Sequence, residues 1–282
     1  MSSDEHQNAT YASHDDPLCY SGPTRFRADP RRMELTTDRR LLDTVAVTAQ
    51  AEARRHANHV DHDPWRVLRI QSEFVAGFDA MAEVTRAVSV FGSARIPHDS
   101  PVYAQGVELG AALVRAGYAV ITGGGPGIME AANRGAADAG GHSIGLGIEL
   151  PFEQSLNEWV DLGVNFRYFF ARKTMFVKYA QAFICLPGGF GTMDELFEAL
   201  TLVQTRKVTR FPIVLIGVDF WSGLLDWIST SMVAAGTVSR SDVALVQVTD
   251  SVDEAVAIVV ESEAARARAE EAARAEAVEG TR

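Results

Sequence analysis

Within nine residues, Pro187-Gly188-Gly189-Phe190-Gly191-Thr192-Met193-Asp194-Glu195 combines glycines, a hydroxyl and two carboxylates. The apolar run Ala182–Leu186 precedes it and the helix-compatible Leu196–Val203 follows. A strand, a glycine turn and a helix in that order make an anion site. Glycine lets the backbone approach a ligand closely, and the unpaired N–H groups and positive dipole end of the helix then face a phosphate. Thr192 is expected to cap that helix and offer its hydroxyl to the same anion. Asp194 and Glu195 are expected in the first helical turn. The helix dipole favours acids there. The same placement suits a phosphorylated substrate held beside a working carboxylate.

Three other segments carry chemistry-bearing residue types. Phe91-Gly92-Ser93-Ala94-Arg95 ends an apolar run, which puts Gly92 and Ser93 at a strand's carboxyl end with Arg95 near enough to meet an anion. Thr122-Gly123-Gly124-Gly125-Pro126-Gly127-Ile128-Met129-Glu130 is glycine-rich without being a dinucleotide fingerprint, because Ile128 falls where the sixth-position glycine should be. It also lacks the Gly-Lys-Ser/Thr of a triphosphate loop, yet it offers several free N–H groups before a helix. Asn165–Lys178 sets Arg172, Lys173 and Lys178 within a helix dense in aromatics, which reads as a binding helix or as an amphipathic one with a basic face. His56, His59 and His62 with Asp61 and Asp63 have helical spacing, but a solvated polar face explains them better than a metal site. No metal and no cofactor is expected.

The elements that must position these residues follow from periodicity. Residues 1–35 are polar and lack hydrophobic periodicity, and are read as a disordered arm. Residues 36–85 read as a helical extension, with a second helix from about Pro64 through Met81. From residue 86 to 260, short apolar runs alternate with helices. Strands are expected at Ala87–Phe91, Ala119–Ile121, Ser143–Ile148, Ala182–Leu186 and Ile213–Ile216, and helices near Val102, Ile128, Phe169, Thr192 and Phe220. Runs such as Ile213-Val214-Leu215-Ile216 suit strands covered on both faces. The fold class is therefore α/β: a Rossmann-like, doubly wound parallel sheet with helices on both faces and an N-terminal helical extension. Residues 261–282, mostly Ala, Glu and Arg, read as a polar helix or frayed tail.

Composition narrows the function. The net charge of −11 leaves no basic surplus for a nucleic-acid backbone. The two cysteines, Cys19 and Cys185, make no disulfide framework and suggest a reducing compartment. The polar N-terminus has no apolar signal core and no run is long enough for a bilayer, so a cytoplasmic protein is expected. Lysine occurs only at 173, 178 and 207, so chemistry that needs a lysine has few candidates.

Together, Gly123–Met129, the Arg172-Lys173 pair and Pro-Gly-Gly-x-Gly-Thr-x-x-Glu at Pro187–Glu195 resemble the LOG ("lonely guy") family of nucleoside 5′-monophosphate phosphoribohydrolases, whose older label is "possible lysine decarboxylase". The resemblance spans about residues 86–235. Phe91–Arg95 and Asn165–Phe170 look like the family's longer branch. It implies cleavage of the N-glycosidic bond of cytokinin-type nucleotides, and of AMP, to free base and ribose 5-phosphate. Arg172 and Glu195 match the catalytic pair, and Gly188, Gly189, Gly191 and Thr192 match the phosphate loop. Glu153 and Thr201 match further substrate contacts. Gly92, Ser93, Arg95, Gly124, Gly125, Met129, Lys173 and Asp194 complete the expected binding set. The family's sites lie at a subunit interface, which implies a homodimer or higher homo-oligomer that binds a small nucleotide and neither nucleic acid nor membrane. A pyridoxal-phosphate decarboxylase would need Lys173 as its Schiff base. A non-catalytic nucleotide-binding protein, or a hydrolase for a pyrimidine or damaged-base nucleotide, would keep the same phosphate loop.

Overall fold

The computed structural model describes residues 18–21, 24–27, 63–149, 155–208 and 211–279. A small antiparallel hairpin joins β1 (Leu18–Ser21) to β2 (Thr24–Arg27). This differs from the expected disordered arm. Leu18, Tyr20 and Phe26 are good strand formers inside a segment whose average composition is polar. Helix α1 (Asp63–Ala80) falls where the second helix of the extension is expected. The first helix of that extension, and the His56, His59, His62 and Asp61 group, lie outside the described residues.

The main chain then alternates: β3 (Ala87–Phe91), α2 (Pro101–Arg115), β4 (Ala119–Thr122), α3 (Ile128–Asp138), β5 (Ser143–Ile148), β6 (Leu162–Phe166), α4 (Phe169–Tyr179), β7 (Ala180–Cys185), α5 (Phe190–Gln204), β8 (Ile213–Ile216) and α6 (Val218–Trp227). A short helix α7 (Arg240–Val243), β9 (Val246–Thr249) and the long α8 (Val252–Glu279) complete it. The seven strands β3–β9 form one sheet in the order β6-β5-β4-β3-β7-β8-β9, and every neighbouring pair is parallel.

Both faces of the sheet are apolar because the strand side chains alternate. Phe183, Cys185, Ile213 and Leu215 point into one core with Met175, Phe176, Leu196 and Trp221 of α4, α5 and α6. Their neighbours Ala182, Ile184, Val214 and Ile216 point into the opposite core with Leu109, Leu113, Ile128, Ala132 and Val259 of α2, α3 and α8. The helices that follow β3 and β7 thus cover opposite faces. The chain order reverses between these two adjacent strands, which opens a crevice at their carboxyl ends, where ligands of doubly wound sheets bind.

Several boundaries differ from the sequence reading, the consequential ones around the glycine loop. β7 is Ala180–Cys185 rather than 182–186, and α5 begins at Phe190 rather than Thr192. Asp194 and Glu195 therefore occupy the second turn of α5, not the first. Thr192 is not the cap: Gly189 takes that position without any side-chain bond. Strands β6 and β9 lie at the sheet's edges and were not expected; they carry the half-exposed sequences LGVNF and VQVT, without a continuous apolar run.

Candidate functional site

The loops after β3, β4 and β7 are tied to one another at the crevice. The Ser93 N–H donates to Pro187 O at 3.0 Å, and the Ile128 N–H donates to Ser93 O at 3.0 Å. Gly127 is required at this junction. Its φ is +66°, and a Cβ there would stand 2.4 Å from Ser93 O. The Ser93 hydroxyl accepts from the Arg95 N–H at 3.1 Å, closing a local turn and leaving the Arg95 side chain exposed.

A buried polar network holds the second glycine loop from below. Thr122 Oγ1 donates to Asn133 Oδ1 at 2.5 Å and accepts from the Gly124 N–H at 2.9 Å. Asn157 donates from its backbone to Gly124 O at 2.7 Å, and from its side-chain amide to Gly125 O at 3.1 Å and Asn133 Oδ1 at 3.0 Å. Each bond satisfies a group that would be costly to bury alone. Met129 turns back over the loop, its sulfur 2.7 Å from where a Gly123 Cβ would be.

Helix α4 delivers Arg172 into this frame from the opposite face. Arg172 Nε donates to Leu146 O, at the end of β5, at 2.6 Å, and the guanidinium lies 5.0 Å over the Phe176 ring. Its Nη2 reaches the glycine loop so closely that a Cβ on residue 123 would stand 2.5 Å away. Burial pulls the Arg172 guanidinium down to about 10, with the Glu195 carboxylate working the other way. It is still a fixed cation at neutral pH.

Glu195 faces it from α5 and is only 6% exposed. Burial pushes its carboxyl above the ordinary range, opposed by Lys173 first and Arg172 next. Lys173, adjacent to Arg172 in sequence, points to α5 instead. Its Nζ is 2.5 Å from Glu198, 2.9 Å from Asp194 and 3.6 Å from Glu195. Burial works against its charge, but hydrogen bonds to Glu198 and Asp194 prevail and hold it above its usual value. Glu198 is a member of this cluster that the sequence reading missed; its spacing of three from Glu195 on one helix was the available signal.

Of the glycine-loop residues, Gly188 packs directly under Thr192, which is buried, while Gly189 and Gly191 are exposed at the mouth of the site. Thr201 is on the same helix as Glu195. It lies farther along α5, its hydroxyl donating to Phe197 O at 2.8 Å. It lines an open depression of about 580 Å³ with Phe190, Met193, Asp194, Phe197, Glu198 and Leu202. Glu153 lies outside the described residues. Among the described residues no group of His, Cys, Asp and Glu is placed to hold a metal ion, and no helix is long and apolar enough to cross a membrane.

The family model described as "possible lysine decarboxylase" matches residues 129–259. A cytokinin riboside 5′-monophosphate phosphoribohydrolase of Mycobacterium marinum is 30% identical over 171 residues, covering 60% of this chain and 90% of that protein. The chain belongs to the LOG family. A rice LOG-family protein, the probable cytokinin riboside 5′-monophosphate phosphoribohydrolase LOGL5, is 33% identical over 155 residues, or 52% of this chain. The match spans 61% of that rice protein's length. The solved X-ray structure of TM1055 superposes with a TM-score of 0.49 at 27% identity, over 63% of this chain and 99% of that one. The LOG-family matches include the α3-to-α8 region that carries Arg172, Lys173 and the Pro187–Glu195 loop.

Proposed function

We propose that this protein hydrolyses the N-glycosidic bond of purine nucleoside 5′-monophosphates, AMP and cytokinin-type nucleotides included, to free base and ribose 5-phosphate. One observation carries the reading: half-buried Arg172 and buried Glu195 act on each other electrostatically, with Glu195 on the helix that opens from the glycine loop. The N–H groups of that helix end would hold the 5′-phosphate. The ribose would then lie against Glu195, and the phosphate's binding energy would go into positioning.

Breaking the ribosyl C–N bond builds positive charge on the sugar. The Glu195 carboxylate opposes that charge and takes a proton from the attacking water, whose oxygen bonds to C1′. The bonding pair leaves with the purine, which takes a proton from solvent, and Glu195 returns its proton to solvent for the next turnover. Arg172 stays protonated at neutral pH. It therefore acts as a fixed cation that orients Glu195 and stabilises charge on the departing base, rather than as the proton donor. Lys173 is occupied by three carboxylates, and its ammonium is kept charged. That speaks against a Schiff-base role, which needs a neutral amine.

The catalytic unit in this reading is residues 86–260, working inside the cell as a homodimer or larger homo-oligomer. Phe169, Phe170 and Phe190 support the oligomer: all three are exposed near the site, Phe190 at 95%. The test is to incubate the purified protein with AMP and with isopentenyladenosine monophosphate, and to separate the products by chromatography. Release of base with ribose 5-phosphate from either supports the reading, and the rate ratio sets the preference. Binding without release would make the protein a nucleotide-binding module or a hydrolase for another base.

A further inference from the structure

Helix α4 carries Arg172 and Lys173, and its start is held from another element. Its N-cap residue is Tyr168, which makes no side-chain capping bond. A carboxylate acceptor comes from α1, outside residues 129–259 matched by the family model. Both carboxylate oxygens of Glu73 accept from the Arg167 N–H, at 3.0 and 3.1 Å, and one of them accepts from the Tyr168 N–H at 3.3 Å. Glu73 is 4% exposed, so these bonds form away from water. A buried carboxylate on backbone N–H groups at a helix N-terminus has both charge-assisted hydrogen bonds and the helix dipole in its favour.

The same helix grips α4 farther along. Gly77 lies so close to Met175 that a Cβ there would stand 2.9 Å from its Cε. At the far end, the Tyr179 hydroxyl donates to Phe78 O at 3.3 Å. One surface of α1 thus holds the start, middle and end of the helix that bears the site's two cations. Arg172 sits only four residues after the capped Tyr168, so its reach to Leu146 and Gly123 depends on how that first turn is fixed.

We propose that Glu73 is a positioning residue of the site: from the N-terminal helical extension it caps the helix carrying Arg172 and so fixes the guanidinium in the crevice. The capping stands by itself, whereas the effect on turnover rests on the function proposed above.

The experiment compares E73Q and E73A with the wild type in the full chain, by amide hydrogen exchange across residues 167–172 and by base release from AMP per folded molecule. The expected result is exchange in that segment faster by about tenfold or more, as loss of bonds to a charged group implies. Turnover should fall by about 10–100-fold with KM for AMP within about threefold, as a small misplacement near the chemistry implies. E73Q, which keeps one acceptor oxygen, should fall between E73A and wild type. Unchanged exchange at 167–172 overturns the cap. Unchanged turnover per folded molecule with faster exchange overturns the positioning role, since a purely structural part lowers only the folded fraction. If E73A does not fold, E73Q supplies the same two readings. A wild-type chain that releases no base defeats the proposed reaction, and the exchange measurement still decides the cap.

Discussion

The Lys173 ammonium stands 3.6 Å from the Glu195 carboxylate, while its neighbour Arg172 donates to Leu146 O. Two consecutive residues of one helix thus address the same buried acid, with their charged ends held by different partners. Lys173 is the strongest influence keeping Glu195 ionised against its burial. Replacing it with Met should push the Glu195 carboxyl higher. Glu195 must be deprotonated to accept a proton from water, so activity rises with pH through its titration. The acid limb of the rate–pH profile for base release should therefore move to higher pH in K173M. A limb that does not move would remove Lys173 from the control of Glu195.

Glu195→Gln should bind AMP within about threefold of wild type and lose about 10²–10⁴-fold in turnover, the range general-base catalysis supplies. Stability should not suffer. The folded state holds the Glu195 proton more tightly than the unfolded chain does, so ionisation above the ordinary carboxyl range works against the fold. The neutral amide removes that penalty, and the melting temperature at pH 8 should equal or exceed wild type. A variant that keeps its rate would take Glu195 out of the mechanism.

Gly127→Ala forces a side chain into a φ of +66° and against Ser93 O. The strain should cost about 1–3 kcal/mol. Because Ser93 O also accepts the Ile128 N–H, AMP affinity should weaken with it. Denaturant midpoints and calorimetric titration measure the two effects. A variant of wild-type stability would show that the three-loop junction yields easily.

On the opposite face, Glu263 of α8 holds Arg86 at 2.7 Å and accepts from the Tyr118 hydroxyl. Burial alone would raise the Glu263 carboxyl, but the bonds from Arg86 and Tyr118 outweigh it and hold it below its usual value. Its stabilising contribution is therefore present above the ordinary carboxyl range and is lost as pH falls through the depressed value. E263Q should melt below wild type at pH 7, with the gap closing under acid. A gap independent of pH would mean that the loss is one of packing, not charge.

Both glycine loops and the strands that feed them are legible in the sequence, because buried parallel strands such as Ile213–Ile216 read as continuous apolar runs and glycine punctuates their ends. The edge strands are not. Leu162–Phe166 contains a glycine and an asparagine and is half exposed, and Val246–Thr249 alternates polar with apolar over only four residues. The start of α5 is misread for a related reason: Gly189 caps it without a side chain, so the hydroxyl of Thr192 attracts the assignment. The pairing of Arg172 with Glu195 is implied only by the family resemblance, and Lys173's attachment to Glu198 requires knowing how α4 and α5 face one another. Glu73 is less legible still. Its partners lie 94 and 95 residues away, and nothing local marks it.

The strand between Lys173 and Glu195 has a consequence for how such a chain can change over generations. After a register shift against β3 near its start, β7 continues from Ala182 to Cys185 with successive side chains committed to opposite cores. Inserting a single residue there would turn the rest of the strand inside out and advance α5 against α4, parting the lysine from its three acids. Length can drift in surface loops, where added residues cost little. Between Ala182 and Pro187 the tolerated mutations are substitutions, and descendants of this gene should differ there in spelling but not in letter count.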